Sequence, residues 1–469
     1  MAWTPAIGTC SNHFIKKTID VEYGLLVLGR LHNNQMTTLE KVALNPSVHA
    51  PYFADVGVLA LVPDEWRSNW LGRHQILTRL AEYFHVLWCA PPKGWRQRDW
   101  WQERWLSNRQ PTAEVNNSRS PGLIIYYGDK WFPAIGRPRI LARWSERQRL
   151  RFARQLLLKR GCRKIVLYLC RPEFESALDL VRHDLSCYHI ADEYSLSEIE
   201  QPIDPSEARL ITRVDQMFIH SIAMLEKKGK LNPCTAFIPN GVDYDSFATL
   251  QSEPAELKSI PHPRIGYVGR VKQRLNLALA IELARHHREW SFVFVGAQDG
   301  IGNHAGFLQQ LGELPNVYVI GEKPVTALPA YTQHMDVCLL PYEINGYTKF
   351  IYPLKLHEYL ASGRSVVGSP IRTLEEFSQI IKLARTTDEW SQAIKQSLSD
   401  GESSAEKIKA RQAVARQHDW AKLVASIAQI LCRRLGPSYL ERFEESRPGD
   451  YVAGPSFDRE HAPTCFSGS

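Results

Sequence analysis

The chain has 469 residues and a net charge of +7, with 44% apolar residues and a full supply of aromatic ones. That length exceeds what one ordinary core organises and predicts two or three globular domains. No apolar run approaches the roughly 18 to 20 residues that span a bilayer, and nine scattered cysteines form neither a CxxC pair nor a Cys/His ligand pattern, which sets aside a disulfide scaffold and a zinc module.

The short apolar run GLLVLG at residues 24–29 lacks signal-peptide surroundings, so the expected location is the cytoplasm. Residues 1–54 show no periodic pattern and read as an extension. From there to residue 250 short apolar strands are expected at 56–62, 85–90, 124–127, 165–169, 187–191 and 217–220, with helical stretches between most of them. This first unit closes on FIPNGVD (237–243), where Asn240-Gly241 is a turn signal. Residues 251–263 hold three prolines and few apolar residues and read as a linker. A second unit, 264–435, opens on the strand-like RIGYVG. Further strands are expected at 291–295, 316–320, 337–340, 365–367 and 380–383. Helices are expected near 275–286, 304–311, 325–333, 354–362 and 388–398, and a long helical tail over 405–435. The remainder, 436–469, is polar and reads as a poorly ordered tail. Regular alternation of strand and helix predicts an α/β protein with parallel, doubly wound sheets.

The surplus positive charge is unevenly placed. Residues 93–109 interleave Trp95, Trp100, Trp101 and Trp105 with Arg96, Arg98, Arg104 and Arg109, and residues 137–164 are crowded with arginine and lysine against Glu146 alone. Two readings stand side by side: a peripheral surface for anionic lipid, in which tryptophan sits at the interface and the cations face headgroups, or a solvated basic helix with core tryptophans. Nucleic acid is set aside because no recognised nucleic-acid motif accompanies the charge.

The densest chemical signal is PYEINGYTKFIYPLKLHEYLASGRSVVGSP, residues 341–370. It reads as strand end, polar loop, short helix, glycine stop and next strand. Pro353 suits the first helical position, Leu356 and Leu360 share one face, and Gly363 suits the left-handed residue that closes a helix. A helix N-terminus after a strand offers free N–H groups and a positive dipole end, a ready anion site. Lys355 lies in its first turn, where the dipole alone would favour an acid; a cation there fits an expected diphosphate. Glu358 follows one turn later. A second basic element, Gly269-Arg270 with Lys272 and Arg274, ends the first strand of the second unit, where ligands of doubly wound sheets bind.

This segment resembles the donor-binding element of GT-B glycosyltransferases of the family 4 type, in the bacterial branch that builds surface polysaccharides. Asn345, Thr348, Pro353, Leu354, Lys355, Leu356, Glu358, Tyr359, Leu360, Ala361 and Gly363 match that branch's pattern. The family's two glutamates eight positions apart are represented only by the second, Glu358, which in the family binds the nucleotide ribose; Phe350 stands at the first. The resemblance implies a GT-B fold of two Rossmann-like domains facing a cleft. A nucleotide-diphosphate sugar would bind to Gly269, Arg270, Lys272, Gly321, Glu322, Lys323, Asn345, Thr348, Leu354, Lys355 and Glu358. Arg270 and Lys355 would stabilise the leaving diphosphate. WLGRHQIL (70–77) is similar to the branch's Arg-x-Gln-x-Leu element, which places Arg73 and Gln75 on the acceptor side. YHIADEYS (188–195) is similar to its acidic strand-end element. Asp192 there orients the acceptor or assists proton removal, or else caps the next helix. The resemblance also implies retention of configuration, no bound metal or other cofactor, and a saccharide or lipid-linked acceptor. Two other classes compete: a GT-B-like nucleotide-sugar epimerase, and a noncatalytic scaffold that binds sugar nucleotides or membrane.

Overall fold

The computed structural model describes residues 50–66, 71–92, 112–114, 122–127, 134–135, 137–194, 199–298 and 305–446. The expected extension up to residue 49, the Trp/Arg stretch 93–109 and the end of the tail from 447 lie outside these. The described residues build two sheets in sequence. The first half holds β1 (Phe53–Leu61), β2 (Phe84–Cys89), β3 (Thr112–Glu114), β4 (Leu123–Tyr126), β5 (Lys164–Leu169), β6 (Leu185–Ile190), β7 (Gln216–Ile219) and β8 (Thr235–Phe237). The second holds β9 (Arg264–Val268), β10 (Ser291–Val295), β11 (Val317–Gly321), β12 (Val337–Leu340), β13 (Ser365–Gly368) and β14 (Lys382–Leu383).

The strand orders are β3-β4-β2-β1-β5-β6-β7-β8 and β11-β10-β9-β12-β13-β14. Except for the antiparallel edge strand β3, paired to β4, every pairing is parallel. The central strands are apolar on both faces because helices cover both: Val56 to Val62 and Ile165 to Leu169 are almost entirely buried. In each half the chain runs outward from a central strand to one edge, then returns and runs to the other. The second sheet has the 3-2-1-4-5-6 order of a dinucleotide fold, and its crevice lies where β9 meets β12.

The chain crosses between halves twice, and the crossings touch. Residues 237–243 lead out of the first half; Val242 N–H donates to His418 C=O at 3.0 Å and Trp420 N–H to Val242 C=O at 3.0 Å. The helical tail expected over 405–435 is two helices, Ala405–Gln417 and Trp420–Leu435. Asp419 breaks the run by capping the second, its Oδ1 accepting from Ala421 N–H at 2.6 Å. The second helix buries Trp420, Val424, Ile427 and Leu431 in the apolar cluster of the first half. The expected poorly ordered tail also needs correction. Residues Pro437–Glu445 form a helix, started by a proline at its first position and held by Phe443, which is buried and stacks on Tyr83 and Phe53. Arg442 pairs with Asp55 at 3.2 Å on the same face. Strands β3 and β8, three residues each, were not anticipated.

Candidate functional site

The crevice between β9 and β12 is built by backbone first. Gly269 ends β9 with φ +151°, a conformation that L side chains rarely adopt. Its N–H donates to Val295 C=O, and Gly296 N–H donates to Gly321 C=O, so the ends of β9, β10 and β11 are drawn together. A Cβ on Gly296 would lie 2.3 Å from Gly269 O, and one on Gly269 would lie 1.6 Å from Lys355 Cε. The second contact is the informative one. Lys355 lies across the bare backbone of Gly269, in space that any larger residue would fill.

Lys355 arrives there on the helix Leu354–Ala361. Pro353 is the residue preceding that helix, one position earlier than its expected place. No side chain caps this helix end, which leaves its dipole facing the crevice. Tyr359 fixes the helix from below: Val268 N–H donates to its hydroxyl at 2.9 Å, and the hydroxyl donates to Val268 C=O at 3.3 Å. Lys355 and Glu358 are half-buried, and neither side chain has a hydrogen-bond or ion-pair partner among the described residues. Burial pushes the Lys355 ammonium down; Glu358 resists this, while Arg274 and Arg270 add to it. Burial likewise pushes the Glu358 carboxyl up, opposed by Lys355. The Lys355 ammonium also sits 5.7 Å from the ring centre of Tyr267. Three cations therefore converge on a strand end and a helix N-terminus, a shape that suits a diphosphate.

The loops above the crevice are tied to each other. Asn276 N–H donates to Pro341 C=O at 2.8 Å and Glu343 N–H to Arg274 C=O at 2.9 Å. These bonds put Arg274, left open against Lys272 in the sequence, beside Lys355; Lys272 is half-buried in the same loop. Asn345 and Thr348, expected at the donor, spend their side chains on the loop itself. Asn345 Oδ1 accepts from Tyr347 N–H at 3.1 Å and Thr348 N–H at 2.9 Å, and Thr348 Oγ1 accepts from Asn345 N–H at 2.9 Å. Leu354 packs against the apolar cluster of the first half. Gly321 ends β11 at φ +82°, and Glu322 beside it is exposed. Lys323 is held by Glu256 at 2.6 Å, toward residues 251–263.

On the facing half Arg73 pairs with Asp64 at the end of β1, and Gln75 accepts from Arg79 on its own helix. Asp192 follows β6. Its Oδ1 accepts from Glu193 N–H at 3.0 Å and from the Tyr347 hydroxyl at 3.0 Å. Beneath it lies a buried ion cluster that sequence reasoning missed: Lys228, fully buried, donates to Glu193 at 3.2 Å and to Glu207 at 2.9 Å. Its members are far apart in sequence, so no local pattern announces them. Among the described residues no three His, Cys, Asp or Glu side chains gather as metal ligands, and no helix is long and apolar enough to cross a membrane.

Two doubly wound sheets facing each other, with the terminal helices returned to the first, define the GT-B fold. Residues 262–400 match the family model Glycosyl transferases group 1. The chain is 32% identical over 185 residues to a putative teichuronic acid biosynthesis glycosyltransferase, TuaH, of Bacillus subtilis (strain 168), a match covering 37% of this chain and 45% of that protein. The chain thus spans less than half the length of this curated relative. A solved trehalose-6-phosphate structure from E. coli, bound with UDP-2-fluoro glucose, has a TM-score of 0.56 at 12% identity, over 80% of this chain and 98% of its own. A UDP-forming alpha,alpha-trehalose-phosphate synthase from Burkholderia xenovorans, in complex with glucose-6-phosphate, gives 0.54 at 12% identity, over 80% and 100%. These structural likenesses are of fold, and they agree with the GT-B architecture expected from residues 341–370.

Proposed function

We propose that this protein is a glycosyltransferase that moves a sugar from a nucleotide-diphosphate sugar to a polysaccharide or lipid-linked acceptor, with retention of configuration. The observation that carries this reading is the pair Lys355 and Glu358, held half-buried at a helix N-terminus with no hydrogen-bond or ion-pair partner among the described residues. Leaving such charges without hydrogen bonds costs free energy that a bound ligand recovers. Glu358 takes ribose hydroxyls, and Lys355, Arg270 and Arg274 take the diphosphate. As the glycosidic bond breaks, charge grows on the leaving diphosphate, and these fixed cations with the helix dipole stabilise it; the protein's own cations do this work. Asp192 holds the acceptor hydroxyl across the cleft. Retention draws support from one structural neighbour, a trehalose-6-phosphate synthase studied for glycosyltransfer with retention.

The membrane part of the reading rests on the helix Arg139–Lys159. Ile140 (82% exposed), Leu141 (50%) and Trp144 (38%) stand out from it beside Arg139, Arg143 and Arg147. Exposed apolar groups flanked by arginine match an anionic lipid interface. The helix follows β4 and precedes the parallel strand β5, so its N-terminal turns lie toward the carboxyl ends of the strands, on the side of the cleft. A lipid-linked acceptor would reach Asp192 from there.

The test is turnover of a panel of UDP-, GDP-, ADP- and dTDP-sugars with and without a bacterial lipid extract as acceptor. Nucleotide release that depends on the extract, with sugar appearing in the lipid fraction, is the expected result. Donor isomerisation without acceptor would favour an epimerase, and nucleotide binding without any turnover would favour a scaffold.

A further inference from the structure

The loop that leads into the Lys355 helix leaves its own half. Phe350 is 2% exposed and belongs to an apolar cluster of the first half. Lys349 pairs with Glu200 at 3.0 Å, and Asn240 Nδ2 donates to Tyr352 C=O at 2.8 Å. Just before these anchors in the chain stands Tyr347. Its hydroxyl donates to Asp192 Oδ1 at 3.0 Å, and the guanidinium of Arg274 lies 5.5 Å from its ring centre. One side chain therefore touches both the acid after β6 and the cation after β9. Oδ1 of Asp192 receives two donors, whereas Oδ2 has none among the described residues, so the carboxylate is oriented with one oxygen spare. Burial, and then the Asp192 charge, push the Tyr347 phenol well above its usual range, which keeps it a donor across working pH.

We propose that Tyr347 is a positioning residue for sugar transfer: its hydroxyl fixes the Asp192 carboxylate so that the spare oxygen accepts the acceptor's hydroxyl, while its ring keeps Arg274 over the donor diphosphate. This rests on the glycosyltransferase reading and extends it. It also gives a reason for the docking of a donor-half loop into the acceptor half, because the link joins the two reacting partners directly.

Tyr347→Phe removes the hydroxyl and keeps the ring. With the sugar nucleotide and lipid extract that support turnover, kcat/KM for the acceptor should fall about tenfold or more. UDP affinity, read by calorimetry, should stay within about twofold. In an Asp192→Asn background the same change should cost little further, since the hydroxyl acts through Asp192. An unaltered acceptor kcat/KM in Tyr347→Phe would overturn the assignment. So would fully additive losses in the double variant. Absence of transfer by the wild-type protein is a different outcome, and it would remove the transferase reading itself.

Discussion

Gly269→Ala tests the crevice at its tightest point. The new methyl would sit 1.6 Å from Lys355 Cε and 2.1 Å from Nζ, so the lysine must leave the strand end. The lysine is the part that gives way, because the β9 backbone is hydrogen-bonded on both sides. Alanine at φ +151° adds backbone strain of about 1–3 kcal/mol. If the displaced ammonium was to meet the diphosphate, the lost charge-assisted bond is worth about 1.5–3 kcal/mol. At 1.4 kcal/mol per decade, UDP affinity falls roughly ten- to a hundredfold. Calorimetric titration with UDP and with uridine separates this from general damage, since uridine lacks the phosphates. Gly401→Ala is the control, because its Cβ would meet no heavy atom within 4 Å. UDP affinity within about twofold of wild type, in a folded Gly269→Ala protein, would show that Lys355 does not hold the diphosphate.

Glu358→Gln should weaken UDP and uridine alike, by roughly ten- to a hundredfold, because the ribose belongs to both; equal affinity in the folded variant removes Glu358 from the site. Lys355 is held below its usual range in the free protein by burial. A diphosphate favours its charged form, so UDP binding should take up protons and weaken as pH rises through the depressed value; calorimetry in buffers of different ionisation enthalpy should show uptake, and proton release would contradict the geometry. Replacing Arg147, Arg151 and Arg154 with Gln should abolish co-flotation with anionic liposomes at low salt while leaving UDP affinity unchanged, with each cation contributing about 1 kcal/mol near the surface. Failure of the wild type to float with them would favour a soluble acceptor.

The parts of the fold that were legible in the sequence are those written in local periodicity. Short β-branched runs with helical stretches between them located nearly every long strand. The i,i+4 leucines and Gly363 bounded the helix at Leu354–Ala361. What escaped was non-local. The loop that carries Arg274 is held beside Lys355 by hydrogen bonds from residues 274 and 276 to residues 343 and 341, about seventy positions on. The triad of Glu193, Lys228 and Glu207 joins three separate elements. The helix Pro437–Glu445 read as tail because Tyr439 and Phe443 are its main apolar signal, and their partners Phe53 and Tyr83 lie at the opposite end of the chain. Asn345 and Thr348 matched a motif by type, yet the side chains themselves shape the loop that presents its neighbours.

Phe350 bears most directly on how such a cleft works. The two-glutamate pattern expects an acid at this position, and an apolar residue there looks like a loss of function. The packing gives it another role. Burying a phenylalanine side chain favours contact by about 1.5–3 kcal/mol, and Phe350 sits within the first half's core under the ammonium of Lys227, 4.9 Å from its ring centre. An acid here would face an apolar pocket with only Lys227 and Lys349 at its rim. With Phe350 in place, the loop from Asn345 to Pro353 is fastened to the first half, and the helix that carries Lys355 and Glu358 begins where that loop ends. Any hinge motion that opens the cleft must therefore bend elsewhere or extract this ring. While the ring stays seated, the distance between Asp192 and the helix that carries Lys355 is fixed. On the proposed transferase reading, orientation is then supplied by folding instead of by binding, which is where preorganised electrostatic catalysis gains its rate.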